Sequence, residues 1–117
     1  MKVSEARIQQ EMVVWFRNTY GLKHHDPQYL IFSVPNERGG YLSMKNLILT
    51  GLLSGVSDLI VVMKGTVLFV EVKTATGIQS DKQKRFEKIV TKLGFSYHLV
   101  RDLETFQKII ETILVVP

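Results

Sequence analysis

The chain has 117 residues, of which 45% are apolar, 22% are charged and three are proline. This is the composition of an ordinary globular protein, so we expect one compact domain over residues 1–117 and exclude a disordered or fibrous chain. The sequence contains no cysteine, which excludes disulfides, thiolate zinc sites and cysteine nucleophiles and is compatible with an intracellular location. No apolar run approaches the ~20 residues that span a bilayer, so no membrane partner is expected. Fifteen Lys and Arg against eleven Asp and Glu give a formal charge of +4, which fits a polyanionic partner without requiring one.

Three elements are predicted in the first half of the chain. Ser4 can cap a first helix that ends at Gly21, and five side chains at helical spacing form its apolar stripe. These are Ile8, Met12, Trp15, Phe16 and Thr19. Residues 29–34 predict a strand that stops at Pro35, and the glycine-containing residues 36–41 predict a loop. Residues 43–50 predict a weak helix that ends at Gly51.

A β-hairpin is predicted in the middle of the chain. Asp58 opens a strand over residues 59–63, Lys64 and Gly65 form a two-residue turn, and residues 66–73 return as a second strand. Both strands are apolar on both faces, which is typical of central strands covered by helices on two sides.

The last part of the sequence predicts a helix, a strand and a further helix. Ser80 and Gln83 form a capping box, Gly94 ends the helix, residues 95–100 predict a strand, and Asp102 caps the final helix. The apolar stripes of the two helices are Phe86, Ile89, Val90 and Leu93, then Leu103, Phe106, Ile109, Ile110 and Ile113. The predicted fold class is therefore α/β, with a mixed central β-sheet flanked by helices.

The hairpin register brings two acids together. With the two-residue turn, Asp58 falls directly opposite Glu71, and opposed side chains have Cβ atoms ~5 Å apart. Like charges in this arrangement are destabilising, so we expect a divalent cation to neutralise them. Lys73 projects on the same face as Glu71 because side chains alternate along a strand. Mg²⁺ suits a few carboxylate oxygens and retained waters, and such an ion can activate water against a phosphodiester while a lysine orients it.

Each of these residues also has a purely structural interpretation. Glu71 and Lys73 can form a structural ion pair at a strand end, with Asp58 a turn residue. A longer turn would shift the register by one residue and separate Asp58 from Glu71. Gln83 is explained by the capping box alone, and Glu11, which borders the apolar stripe of the first helix, can be an ordinary solvated residue.

Three segments together resemble the PD-(D/E)XK nuclease superfamily, and more narrowly its virus-type replication-repair nuclease (VRR-NUC) branch. They are Gly55-Val56-Ser57-Asp58, Glu71-Val72-Lys73 and Gln83-Lys84-Arg85-Phe86. The resemblance covers most of the chain and implies a restriction-endonuclease-like core. It departs at Ser57, where the family usually has proline, a change that touches neither metal nor substrate.

The resemblance also implies an activity and its residues. It implies a metal-dependent DNA phosphodiesterase whose Mg²⁺ or Mn²⁺ is held by Asp58, Glu71 and the main-chain carbonyl of Val72. The family's lysine matches Lys73 and its glutamine matches Gln83. Its first-helix acid matches Glu11, which we expect to reach the ion through water.

DNA contacts are expected from basic residues of the predicted loop and the capped helix. They are Arg38, Lys82, Lys84, Arg85 and Lys88. The four in the helix can also be an ordinary solvated face. The compact relatives imply an enzyme of the bacterial or phage-infected cytoplasm that cuts branched DNA, such as Holliday junctions or flaps.

A homodimer is expected, because two copies would present two acid clusters to the two strands of a branched substrate, and two-fold dimers are the commonest oligomers. The apolar tail formed by Ile113, Leu114, Val115 and Val116 is a candidate contact, although it can also complete the core.

Two functions follow from the sequence. The first is a Mg²⁺- or Mn²⁺-dependent endonuclease selective for structured DNA. The second is a non-catalytic nucleic-acid-binding module on the same fold. The set of Glu11, Asp58, Glu71 and Lys73 favours the enzyme, because a binder of polyanions gains nothing from a costly acid cluster.

Overall fold

A computed structural model describes residues 3–21, 27–34 and 44–115, and the statements below concern these ranges. The elements are α1 (Glu5–Tyr20), β1 (Leu30–Ser33), α2 (Met44–Leu49), β2 (Leu59–Met63), β3 (Thr66–Val72), α3 (Asp81–Lys92), β4 (Ser96–Val100) and α4 (Leu103–Val115). Their order confirms the prediction. The loop predicted over residues 36–41, including Arg38, lies outside the described residues.

The four strands form one sheet in the order β1-β2-β3-β4. β2 pairs antiparallel with both β1 and β3, whereas β3 and β4 are parallel. Leu59 pairs with Val70 and Met63 with Thr66, which is the register of the predicted two-residue turn. The sheet is therefore mixed, as predicted.

The main core lies between α1, α4 and one face of the sheet. Ser4 caps α1 by accepting a hydrogen bond from the Arg7 N–H at 3.1 Å, and Asp102 caps α4 by accepting from the Thr105 N–H at 2.7 Å. The buried side chains that meet here come from both helices and all four strands. They are Ile8, Met12, Phe16, Ile31, Leu59, Val61, Met63, Leu68, Val70, Val72, Val100, Phe106 and Ile110.

The opposite face of the sheet is covered more thinly than predicted. α3 packs here through a cluster of edge-to-face aromatic contacts that joins Phe86 to Phe69 and Tyr97. Ile60 and Val62 of β2 are only half-buried, because α3 lies against β4 rather than across the whole sheet. For the same reason the predicted apolar stripe of α3 is half wrong, since Ile89 is 51% and Leu93 is 69% exposed.

The loop that leads into β2 is locked against the start of α3. Gly55 has a φ of +86°, and a Cβ at this position would lie 2.3 Å from the Lys82 carbonyl oxygen. Only glycine fits this close approach. Ser57 is fully buried, and its hydroxyl donates to the Leu59 carbonyl at 3.2 Å, so a hydrogen bond stiffens the entry to β2.

Candidate active site

Asp58 stands at the start of β2, opposite the end of β3. The observed register extends to oppose Asp58 and Glu71, as predicted. The Asp58 Oδ2 atom accepts a hydrogen bond from the Val72 N–H at 2.7 Å, and its main-chain carbonyl accepts from the Val34 N–H at 3.1 Å. The carboxylate is therefore held in place by the strand that carries Glu71.

Glu71 is a buried carboxylate, with 1% of its surface exposed. Its Oε2 atom lies 3.7 Å from the Lys73 Nζ atom and accepts a hydrogen bond from the Gln83 amide nitrogen at 2.6 Å. Its Oε1 atom has no hydrogen-bond partner among the described residues. Burial raises the pKa of Glu71 to about 8, the charge of Asp58 adds to the rise, and the ammonium of Lys73 opposes it.

Helix α3 delivers Gln83 to Glu71 through its capping box. The Ser80 hydroxyl accepts from the Gln83 N–H at 3.2 Å, and the Gln83 Oε1 atom accepts from the Ser80 N–H at 2.8 Å. The cap therefore occupies the amide oxygen and turns the amide nitrogen toward Glu71. The structural and functional interpretations of Gln83 are thus compatible, because each uses a different end of one amide group.

The two carboxylates fit a hard divalent cation. Asp58 and Glu71 offer anionic oxygens, and the unpartnered Oε1 of Glu71 is the kind of buried atom that an ion would satisfy. Within the described ranges, no group of three or more His, Cys, Asp and Glu side chains is arranged to hold a metal. Such a pair suits Mg²⁺ or Mn²⁺ better than a cation that needs an all-protein cage, because Mg²⁺ keeps several waters.

A second acid of α1, Glu5, also acts on this pair and was not singled out in the sequence. Its charge makes the smallest of the contributions that raise the pKa of Glu71. Glu11 instead lies 3.8 Å from Arg7 and lines a cleft beside the residues that follow Lys73. The available signal was helical phase: Glu5 lies three and seven residues before the buried Ile8 and Met12, on the line of the stripe.

The four basic residues predicted to contact DNA in α3 are all exposed: Lys82, Lys84, Arg85 and Lys88. These residues begin in the helix turn that carries Gln83, and Gln83 contacts Glu71. A polyanion bound along α3 would therefore lie close to Asp58 and Glu71.

Arg101, directly after β4, supports the residues that follow Lys73. Its Nη1 atom donates to the Thr74 carbonyl at 2.5 Å and to the Gly77 carbonyl at 2.7 Å. The Lys73 N–H donates to the Val100 carbonyl at 3.0 Å, which continues the β3–β4 pairing by one hydrogen bond beyond the strand. No sequence pattern marked Arg101, because its partners are main-chain atoms far away in the chain.

Comparison of the whole chain with solved structures finds similar domains, among them the following two. One, titled "VRR_NUC domain protein", superposes with a TM-score of 0.71 over 95% of this chain and 88% of its own, at 16% sequence identity. Another, titled "VRR_NUC domain", gives a TM-score of 0.62 over 92% of this chain and 94% of its own, at 24% identity. The chain has the fold of a VRR-NUC domain. The fold expected from the resemblance is thereby confirmed.

No protein-family model and no curated protein matches the sequence of this VRR-NUC-fold chain. Among the described residues, no helix is both long and apolar enough to cross a membrane.

Proposed function

We propose that this chain is a Mg²⁺- or Mn²⁺-dependent nuclease that hydrolyses DNA phosphodiester bonds. The observation that carries the proposal is the Glu71 carboxylate, which is buried opposite Asp58 with one oxygen unpartnered and Lys73 3.7 Å from the other. The names of the two similar structures agree with nuclease function.

Each site residue has a chemical role in this proposal. Asp58, Glu71 and the main-chain carbonyl of Val72 would hold the ion. When bound, the ion supplies an activated water and neutralises charge on the phosphate. Lys73 orients the attacking water and balances charge in the transition state, and Gln83 keeps the Glu71 carboxylate oriented. For the first-helix acid that acts through water, Glu11 is the residue expected from the resemblance, and Glu5 is the alternative, because its charge contributes to the raised pKa of Glu71.

The alternative, a non-catalytic nucleic-acid-binding module, explains the exposed cations of α3 but not the acid pair. Lys73 and Gln83 contact one oxygen of Glu71, but burial and the charge of Asp58 still disfavour its charged form. A binder of polyanions gains nothing from two carboxylates placed opposite each other, whereas a metal-dependent enzyme would use both as ligands.

We further propose selectivity for branched DNA by a homodimer, which would place two acid pairs on one substrate. Of the candidate tail, Ile113 packs against the core, Val115 is 81% exposed, and Val116 lies outside the described residues. Among the described residues of the tail, Leu114 and Val115 are therefore the ones exposed for such a contact. Light scattering should report about twice the 13.4 kDa chain mass, and a monomer that nicks opposing strands of a four-way junction symmetrically would contradict the dimer.

Cleavage assays test the proposed activity. Labelled duplex, single-stranded, flap and four-way junction DNAs are incubated with the protein, with and without Mn²⁺. We expect cleavage only with the metal, fastest on a branched substrate, and none by Glu71→Gln. Binding of every substrate without cleavage under any metal would favour the non-catalytic module.

A further inference from the structure

A cleft of about 630 Å³ lies between the start of α1 and the turn that follows Lys73. Its volume is within the range of clefts that bind small molecules, about 300–1,000 Å³. The side chains that line it include Val3, Ile8, Glu11, Thr74, Arg101 and Asp102. The cleft is therefore separate from the acid pair formed by Asp58 and Glu71.

The cleft and Lys73 share a wall. Residues 74–76 line the cleft, and the same turn folds back at Gly77 onto the Lys73 side chain. A Cβ added at Gly77 would lie 3.4 Å from both Cβ and Cδ of Lys73, so the turn passes close to the lysine side chain. A nucleotide whose phosphate reaches Lys73 therefore has the cleft beside it.

Arg101 presents hydrogen-bond donors to the cleft in a fixed orientation. Its Nη1 atom is anchored by the carbonyls of Thr74 and Gly77. Its Nε and Nη2 atoms form no hydrogen bond with any described residue. An anchored guanidinium loses little freedom when its remaining donors bind a ligand.

Glu11 supplies an acceptor on the other side of the cleft. Its carboxylate accepts no hydrogen bond from the described part of the chain, and its ion pair with Arg7, at 3.8 Å between exposed groups, contributes little stability. Asp102 also lines the cleft but already caps α4. Two carboxylates against one guanidinium disfavour a phosphate in the cleft and favour a neutral ligand with both a donor and an acceptor.

We propose that the cleft binds one unpaired nucleobase that bears an exocyclic amino group, next to the phosphate that reaches Lys73. The proposal rests on DNA being the substrate. Glu11 accepts from the amino group, Arg101 donates to the adjacent ring nitrogen or carbonyl, and Val3 and Ile8 contact the ring. Cytosine, adenine and guanine carry this group and thymine does not.

Binding of oligo-dC and oligo-dT of equal length, measured without divalent ions by fluorescence anisotropy, tests the proposal. Their backbones are the same and their rings are of one size. Cytosine has an amino group and a ring-nitrogen acceptor where thymine has a carbonyl and a ring N–H, and thymine also carries a C5 methyl group. Since a hydrogen bond to a charged group contributes about 1.5–3 kcal/mol, we expect the wild type to bind oligo-dC about tenfold more tightly. Glu11→Gln should lose most of this preference. Glu104→Gln is the matched control, because Glu104 is also an exposed carboxylate in an i,i+4 pair, with Lys108, but lies outside the cleft.

Equal affinity of the wild type for the two oligonucleotides, or an unchanged preference in Glu11→Gln, overturns the cleft proposal. Because this readout needs no catalysis, it fails separately from the proposed nuclease activity. If the protein cleaves DNA with Mn²⁺ but shows no preference for oligo-dC, only the cleft proposal is contradicted. If it shows the preference but does not cleave DNA, only the proposed nuclease activity is contradicted.

Discussion

Glu71 shows how one buried residue connects stability with function. Its carboxylate lies at the end of β3, where the adjacent residues Val70 and Val72 are apolar. One of its oxygens has no partner among the described residues. Burial and the charge of Asp58 raise its pKa to about 8, and a bound cation would lower that pKa by stabilising the charged carboxylate. Without metal, the site therefore favours a proton at the place where we propose that an ion binds.

This raised pKa predicts a pH-dependent stability of the metal-free protein. The pKa of Glu71 is about 8 in the folded chain and near its usual 4.5 in the unfolded chain, so the folded state holds the extra proton between these values. The stabilisation is complete below about pH 4.5 and is lost as the pH rises through about 8, at up to ~1.4 kcal/mol per pH unit. Denaturant unfolding in EDTA should show this loss. Glu71→Gln should remove it, Glu104→Gln should keep it, and an identical pH profile for wild type and Glu71→Gln would contradict the assigned pKa.

Asp58 combines a charge that opposes Glu71 with a hydrogen bond that the fold needs. Asp58→Asn removes the repulsion and keeps an acceptor for the Val72 N–H, so we expect the metal-free variant to be at least as stable as the wild type at about pH 8. Asp58→Ala leaves that buried N–H unpaired and should cost about 1–3 kcal/mol. Chemical denaturation measures both. Equal stability of the two variants would show that the hydrogen bond contributes nothing.

At the scale of elements, local patterns predicted what depends on neighbouring residues. The bounds of β2 and the register with β3 followed from Lys64-Gly65, because a two-residue turn leaves one pairing. The Ser80–Gln83 cap was predictable for the same reason. The exposure of Ile89 and the place of Arg101 were not, because both depend on where α3 and β4 lie in the assembled sheet. Glu5 was in principle predictable from helical phase, because it lies three and seven residues before the buried Ile8 and Met12.

The two ends of the Gln83 amide can be separated by mutation. Ser80→Ala removes the N-cap hydroxyl and should cost ~1 kcal/mol of stability while leaving the contact with Glu71 intact. Gln83→Ala keeps the Ser80 hydroxyl bond but removes the acceptor of the Ser80 N–H and the contact with Glu71, so it should slow Mn²⁺-dependent cleavage by about 10–100-fold, as loss of a residue that orients a metal ligand does. Unfolding and cleavage are measured on both variants. Equal cleavage rates would reduce Gln83 to a capping residue.

At the scale of the molecule, charge and chemistry are placed on different elements. The acid pair and Lys73 sit at the ends of β2 and β3, whereas the exposed cations lie along α3. Affinity for DNA and rate of cleavage should therefore respond to different substitutions.

Reversing the charges at Lys84 and Lys88 should weaken DNA binding and lower the slope of log affinity against log salt by about 2, since each lost phosphate contact contributes ~0.9. Lys108→Glu, on α4 on the opposite side of the sheet, is the control and should change neither.

Lys73→Ala should have the opposite effect to the α3 variants. It should lower the cleavage rate by orders of magnitude while DNA binding is retained. Salt-dependent anisotropy and single-turnover cleavage measure the two effects. If Lys73→Ala and the α3 variants changed affinity and rate alike, the separation of roles would be wrong.

The proposed activity requires that Asp58 and Glu71 hold a divalent cation, and calorimetric titration of the metal-free protein with Mn²⁺ tests this most directly. We predict saturable binding that releases a proton, so that affinity rises on the order of a hundredfold from about pH 6 to about pH 8. The same titration should show no binding to Asp58→Asn or Glu71→Gln. Undiminished, pH-independent Mn²⁺ binding by either variant would contradict the site.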